Sequence, residues 1–108
     1  MELKLLKTKE AANGSIINTY VIGNYIIRED IHKSFTCIYT RPDMEANDFL
    51  PYIFADDEKE DGIITDFKIQ TTSYGTLKVE DAKKFIEAYN EAVEVVEILK
   101  DKFVNKDK

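Results

Sequence analysis

The hydrophobic pattern of the chain changes its period near residue 79, and this change limits the folds open to it. Before Val79, apolar and polar residues alternate over several short stretches, which is typical of half-buried β-strands. From Val79 the apolar residues recur every three or four positions for about 25 residues, which indicates an amphipathic helix. The sequence therefore predicts an α+β fold: an antiparallel β-meander of four to five strands with one long C-terminal helix packed on one face.

The clearest strand signal is a hairpin around Gly23–Asn24. A two-residue connection with glycine first is typical of a type II′ turn, because glycine enters the left-handed region at little cost. A tight turn here pairs Ile22 with Tyr25. It also pairs Tyr20 with Ile27, so that one face of the hairpin carries large apolar side chains and is the predicted core face.

The helix should bury a broad apolar side against the sheet. This predicted side consists of Val79, Ala82, Phe85, Ile86, Tyr89, Ala92, Val93, Val96, Leu99, Phe103 and Val104. Val95 and Ile98 fall toward the charged side. Either these two residues or an edge strand that contains Pro51 would allow a homodimer, because a monomer should not expose such surfaces.

Length and cysteine content indicate one small domain in a reducing compartment. The chain has 108 residues, and we expect a single α+β domain over residues 1–104 and a frayed polar tail over 105–108. Cys37 is the only cysteine, so no intrachain disulfide can form. No stretch approaches the roughly 20 apolar residues of a membrane span, and the N-terminal residues lack the apolar core of a secretory signal. We expect a cytoplasmic protein that does not bind membranes.

The inventory of reactive side chains argues against an enzyme. Cys37 and His32 are five residues apart, so a continuous strand would point them to opposite faces. One cysteine and one histidine cannot assemble a zinc site within the chain, and its four glycines are too dispersed to cradle a phosphate. The sequence predicts no catalytic residues, no metal site and no cofactor.

The net charge of −6 is unevenly distributed along the chain. The acidic segment, Asp43–Asp66, contains nine acids and the single base Lys59, whereas the remaining residues carry a slight positive excess. It is not an EF-hand loop, because lysines stand at two of the ligand positions. Two interpretations stay open: the acids keep the edge strand around Pro51 from pairing between molecules, or they form a docking surface.

Part of the C-terminal third resembles a known group of proteins. The stretch Thr72–Leu77, which leads into Val79–Ala82 and then Tyr89 and Ala92, is similar to the end of small uncharacterised proteins of phages and mobile elements in low-GC Gram-positive bacteria. Lys78 departs from the Ser, Thr or Asp expected at the helix cap. The resemblance implies an accessory or host-takeover protein and no catalytic residues.

These observations favour a non-enzymatic protein–protein interaction module. It would dock a partner, which its acidity suggests is basic, through the acidic segment or the sheet face away from the helix. We expect no direct nucleic-acid binding, since such modules are normally basic. The predicted docking surface consists of Asp43, Glu45, Asp48, Tyr52, Asp56, Asp57, Glu58, Glu60 and Asp61.

Two alternative functions use the same chain differently. An acidic mimic of nucleic acid would occupy the groove of a host or defence nuclease and would bind less tightly as salt rises. A small ligand-binding domain or enzyme would use the crevice between sheet and helix. In that case Tyr20, Tyr25, Cys37 or Tyr39 would line the crevice.

Overall fold

A computed structural model describes residues 1–59, 61–71 and 74–104. In these ranges the chain forms strands and then a helix: β1 Lys4–Glu10, β2 Ile16–Ile22, β3 Tyr25–Ile31, β4 Thr36–Pro42, β5 Ile53–Asp56, β6 Asp66–Ile69 and α1 Val79–Phe103. The predicted tail at 105–108 lies outside the described residues, as do Glu60 and Thr72–Ser73.

The strands form two antiparallel sheets. The first follows the chain as β1-β2-β3-β4, which is a meander, and the second pairs β5 with β6. The hydroxyl of Thr40 on β4 donates a hydrogen bond to the carbonyl of Ile53 on β5, which joins the two sheets. With the long C-terminal helix, this arrangement confirms the predicted α+β fold.

The central hairpin has the predicted register. Ile22 pairs with Tyr25 and Tyr20 with Ile27 across β2 and β3. All four side chains lie on the inner face of the sheet, defined as the face toward α1, and are buried in the core. Tyr25 is completely buried, and its hydroxyl donates to the Pro51 carbonyl at 2.6 Å, so the same side chain also holds the segment before β5.

The helix is turned about its axis relative to the prediction. Its buried residues are Ala88, Ala92, Val95, Val96, Leu99 and Phe103. Val95 is 0% exposed, whereas Val79, Ile86 and Val93 of the predicted buried side are exposed. Because the apolar residues cover about half the circumference, their period alone does not say which part of the arc contacts the sheet.

The two helix residues predicted to allow a homodimer are not available on the surface. Val95 packs completely into the core, and Ile98 is partly buried against it. Neither residue therefore offers an exposed apolar surface to a second copy. In the part of the chain that the structure covers, no helix combines the length and apolar character needed to cross a membrane.

A carboxylate on the helix holds the turn of the central hairpin. Glu91 Oε2 accepts the backbone N–H of Asn24 at 2.6 Å, and Glu91 Oε1 accepts its side-chain amide at 3.0 Å. The turn therefore approaches the helix closely: a Cβ at Gly23 would lie 2.7 Å from Glu91 Oε2. Gly23 also has a φ of 54°, so both the backbone and the contact favour glycine.

Gly23→Ala should destabilise the fold more than Gly14→Ala. Gly14 also has a positive φ, but a Cβ there meets nothing within 4 Å, so its substitution measures backbone strain alone, about 1 kcal/mol. Gly23→Ala should cost roughly 1 kcal/mol more, because it displaces the Glu91 carboxylate from Asn24. Urea unfolding of both variants measures the difference, and equal losses would show that the contact with Glu91 does not hold the turn.

Candidate functional site

The structure divides the predicted acidic surface between two ends of the sheet. Asp43, Glu45 and Asp48 follow β4 and are exposed. The backbone N–H of Asp43 donates to the Asn24 carbonyl at 2.8 Å, which places this first group beside the turn between β2 and β3. It therefore lies at the end of the sheet where β3 begins.

The second group lies where β3 ends. Asp56, Asp57, Glu58 and Asp61 surround the connection from β5 to β6, whose Gly62 lies against Phe35 in the connection from β3 to β4. A seven-residue strand such as β3 separates its two ends by about 20 Å. The acids that are contiguous in sequence thus form two patches, and Glu60 lies outside the described residues.

Several of these carboxylates shape the turn between β5 and β6. Asp57 accepts the backbone N–H groups of Asp61 and Gly62 at 3.1 and 2.7 Å, and Asp61 accepts that of Ile63 at 3.0 Å. Such side-chain-to-backbone hydrogen bonds are the local reason that aspartate is favoured in turns. A part of the acidic run is therefore explained by folding alone.

Two further acids of the segment form ion pairs. Asp56 lies 2.9 Å from the ammonium of Lys68, and Asp66 lies 3.0 Å from that of Lys100. The hydrogen bond from Lys100, and then the backbone N–H of Phe67, lower the pKa of Asp66. These pairs are at least partly exposed, so each adds little stability, but they neutralise charge that a docking surface would use.

Tyr52 is the one aromatic residue of the predicted surface. Its side chain is exposed, and its carbonyl accepts the backbone N–H of Gln70 at 2.9 Å. It immediately precedes β5 and therefore lies between the two acidic patches in the chain. The described residues of the predicted surface are not gathered around it.

The sheet face away from the helix gathers a different set of residues. Leu5 pairs with Tyr20 on the inner face, but a bulge between Leu5 and Lys7 shifts the register, so that Lys7 pairs with Thr19. An extra residue in one strand reverses which side its later side chains take. Lys4, Lys7 and Lys9 consequently lie on one side of β1, although a regular strand would put Lys4 on the side opposite to Lys7 and Lys9.

We call this surface the outer face. The register of the four strands assigns to it Lys4, Lys7, Lys9, Ile17, Thr19, Val21, Ile26, Arg28, Asp30, Cys37, Tyr39 and Arg41. It holds five basic side chains, all exposed, and one acid, which is buried. The described part of the chain places no second layer on it, since α1 packs on the inner face.

A bidentate ion pair between Arg28 and Asp30 lies near the centre of the outer face. The Arg28 guanidinium donates to both oxygens of Asp30 at 2.7 and 2.6 Å and lies 5.2 Å from the centre of the Tyr39 ring. The Arg28 hydrogen bond lowers the pKa of Asp30 below its usual range. The Cys37 thiol, which lies beside the Tyr39 hydroxyl, raises the pKa of that tyrosine. These contacts hold the half-exposed Tyr39 ring in place on an otherwise open surface.

Two concave regions adjoin this centre. A depression of about 280 Å³ is lined by Thr19, Ile26, Arg28, Tyr39, Thr40 and Arg41. Beyond Arg41, a groove of about 510 Å³ continues toward the hairpin turn and includes the exposed side chain of Met44. Exposed aromatic, arginine and methionine side chains are common in protein interfaces.

The four residues named for a crevice between sheet and helix do not lie together. Tyr20 and Tyr25 are buried on the inner face, and burial raises the pKa of Tyr20 to about 12 and that of Tyr25 as well. Cys37 and Tyr39 lie on the outer face. His32 stacks on the ring of Phe35, with 4.3 Å between centroids. Within the described ranges, no three His, Cys, Asp or Glu side chains are grouped to hold a metal ion.

No protein-family model, curated protein or solved structure matches the chain. The resemblance to phage and mobile-element proteins therefore stays a prediction. The outer face, with five exposed basic side chains and one buried acid, is the surface on which a functional proposal can be based.

Asp30→Asn should reduce stability at neutral pH and leave it nearly unchanged in acid. The pKa of Asp30 is lowered in the folded protein, so its contribution is present above the ordinary carboxyl pKa of about 4 and is lost as pH falls through the lowered value. We expect a loss of about 1 kcal/mol at pH 7, since Arg28 is half exposed. Thermal melts from pH 7 to 3 should converge for wild type and variant. A constant gap would contradict this, and the exposed Asp48→Asn serves as control.

Proposed function

We propose that the protein is a non-enzymatic interaction module that docks an acidic protein partner on its outer face. The observation that carries this proposal is a four-stranded sheet with one face packed on the helix and the other open, with five exposed basic side chains against one buried acid. A basic surface of this kind attracts carboxylates on a partner.

The outer face also has the apolar content of an interface. Ile17, Val21 and Ile26 lie between the basic rows contributed by β1 and by β3 and β4. The Tyr39 ring stands beside them, braced by Arg28. Interfaces commonly combine an aromatic anchor near the centre with charges around it, and the charges set orientation more than affinity.

The charge on the rest of the molecule directs an acidic partner to this face. The chain carries −6 overall, so the surface outside the outer face is strongly negative. An acidic partner is repelled there and attracted to the outer face, which restricts how it can dock. The same distribution disfavours non-specific contact at the exposed edge of β1, because the lysines on that strand also hinder pairing with a second sheet.

Docking of a basic partner through the acidic segment is a weaker proposal. Its acids lie in two patches, and several of them already bind backbone N–H groups or lysines. An acidic mimic of nucleic acid would need its carboxylates along one continuous line, as phosphates are spaced along a strand. The resemblance of the C-terminal third to phage and mobile-element proteins supports an accessory role for either kind of docking.

Reversing the charge of two lysines on the outer face should strongly weaken binding to an acidic polypeptide. The probe is a fluorescent poly-glutamate peptide, and its anisotropy is measured at low salt. Lys7→Glu/Lys9→Glu should weaken binding by roughly tenfold or more, because it replaces attraction with repulsion on the docking face. Lys83→Glu/Lys84→Glu, on the exposed side of α1, changes the net charge equally and should have a much smaller effect.

The outcomes of this experiment separate the classes of partner. Equal losses in both double variants would show that only net charge matters and would overturn the docking face. A single-stranded oligonucleotide that binds the outer face more tightly than poly-glutamate would overturn the acidic protein partner and assign the face to nucleic acid. Tighter binding of poly-lysine than poly-glutamate would return the function to the acidic segment.

A further inference from the structure

A largely buried carboxylate, that of Glu29, lies on the opposite side of the sheet. Glu29 is on the inner face of β3 and is only 7% exposed. Its Oε1 accepts two hydrogen bonds, from the Tyr20 hydroxyl at 2.9 Å and from the Asn18 side-chain amide at 3.1 Å. Asn18 is held in turn by the Thr8 hydroxyl, which donates to its Oδ1 at 2.7 Å.

In the described part of the chain, no ion pair balances the charge of this carboxylate. Within residues 1–59, 61–71 and 74–104, no lysine or arginine forms an ion pair with Glu29, and no donor binds its Oε2. The nearby ammonium of Lys102 instead lies over the Tyr20 ring, 5.6 Å from its centre. A buried charge that has only neutral partners is costly, and a cation placed beside it would recover part of that cost.

Glu29 lines a small cavity together with Thr36 and several apolar side chains. The cavity has a volume of about 140 Å³, and its other walls include Ile38, Ile63, Ile64 and Phe103. A water molecule occupies about 30 Å³ in the liquid, so the space accommodates a short chain of a few heavy atoms. A small cavity with several apolar walls and one carboxylate suits a ligand that is apolar along its length and cationic at one end.

The end of the helix adds to the negative potential of the cavity. Helix α1 ends at Phe103, and both Phe103 and Val104 line the cavity. The C-terminal end of a helix carries a partial negative charge from its unpaired carbonyls, and it favours cations. A metal ion is a poor match, because calcium needs six or more oxygen ligands and the described lining of this cavity offers a single carboxylate.

We propose that this cavity binds a primary alkylammonium group, whose nitrogen contacts Glu29 Oε2 and whose methylene chain packs on Ile38, Ile63 and Phe103. The group is the same in a free aliphatic amine and at the end of a lysine side chain. This proposal rests on the inner face alone and does not depend on the docking function of the outer face.

Binding of n-butylammonium to the wild-type protein tests the proposal. Backbone amide shifts of Ile38, Ile64 and Val104 are followed by NMR at constant ionic strength, with 1-butanol as a neutral ligand of equal length. We expect saturable shifts with n-butylammonium, at least tenfold weaker binding of 1-butanol, and no saturable shifts with tetrabutylammonium, which exceeds the cavity. Equal affinity for the amine and the alcohol, or no saturable shift with the amine, would overturn the proposal.

Two variants test whether the Glu29 carboxylate is the group that binds the ammonium. Glu29→Gln keeps the shape of the side chain and should weaken n-butylammonium binding at least tenfold, whereas Glu45→Gln, an exposed carboxylate elsewhere, should leave it unchanged. Unchanged binding in Glu29→Gln would overturn the site. If that variant does not fold, the wild-type ligand series decides alone. Lysine with both backbone ends blocked is the last ligand. If it binds as well as n-butylammonium, the natural ligand is a lysine side chain, and if it does not bind, the natural ligand is a free amine.

Discussion

Every strand of the four-stranded sheet has two sides, and the described chain supplies one helix to cover them. Apolar side chains on one side of β2, β3 and β4 therefore form the core with α1, and the other side meets solvent. Tyr25 shows how tightly the covered side is built, since it is completely buried and also binds the segment before β5. The one-sided core determines where both proposed sites lie. The outer face is the side of the sheet on which α1 does not pack. The Glu29 cavity lies at the C-terminal end of α1, next to Phe103 and Val104.

This one-sided core also separates the charges of the molecule. The outer face carries the lysines of β1 together with Arg28 and Arg41, whereas most of the acids lie in the connections at the two ends of the sheet and on the helix. The net charge of −6 is therefore an average over a basic face and acidic regions elsewhere on the molecule. Electrostatic attraction acts over about 10 Å at ordinary salt, so a partner responds to the face that it approaches and not to the average over the chain.

Local sequence patterns predicted the central hairpin and the C-terminal helix. They did not predict the rotation of the helix or the side of β1 on which its lysines lie, since both depend on tertiary contacts. The Gly23–Asn24 turn and the bounds of α1 follow from backbone preferences and period, and both are confirmed. The rotation of α1 is not encoded in its period, because small residues such as Ala88 and Ala92 lie against the sheet while Val93 remains exposed. The basic character of the outer face was not predicted from the sequence, because a strict alternation would put Lys4 and Lys7 on opposite sides and the bulge in β1 brings them to the same side.

The openness of the outer face is the central claim, and the reactivity of Cys37 tests it most directly. Cys37 is the only cysteine and lies half-buried on that face. Alkylation by a small thiol reagent is measured under native conditions and below the denaturation midpoint. On an open outer face, native Cys37 should react within roughly tenfold of the unfolded rate, with little dependence on denaturant before the transition. A thiol that reacts only in proportion to global unfolding would contradict the account, because the outer face would then be covered.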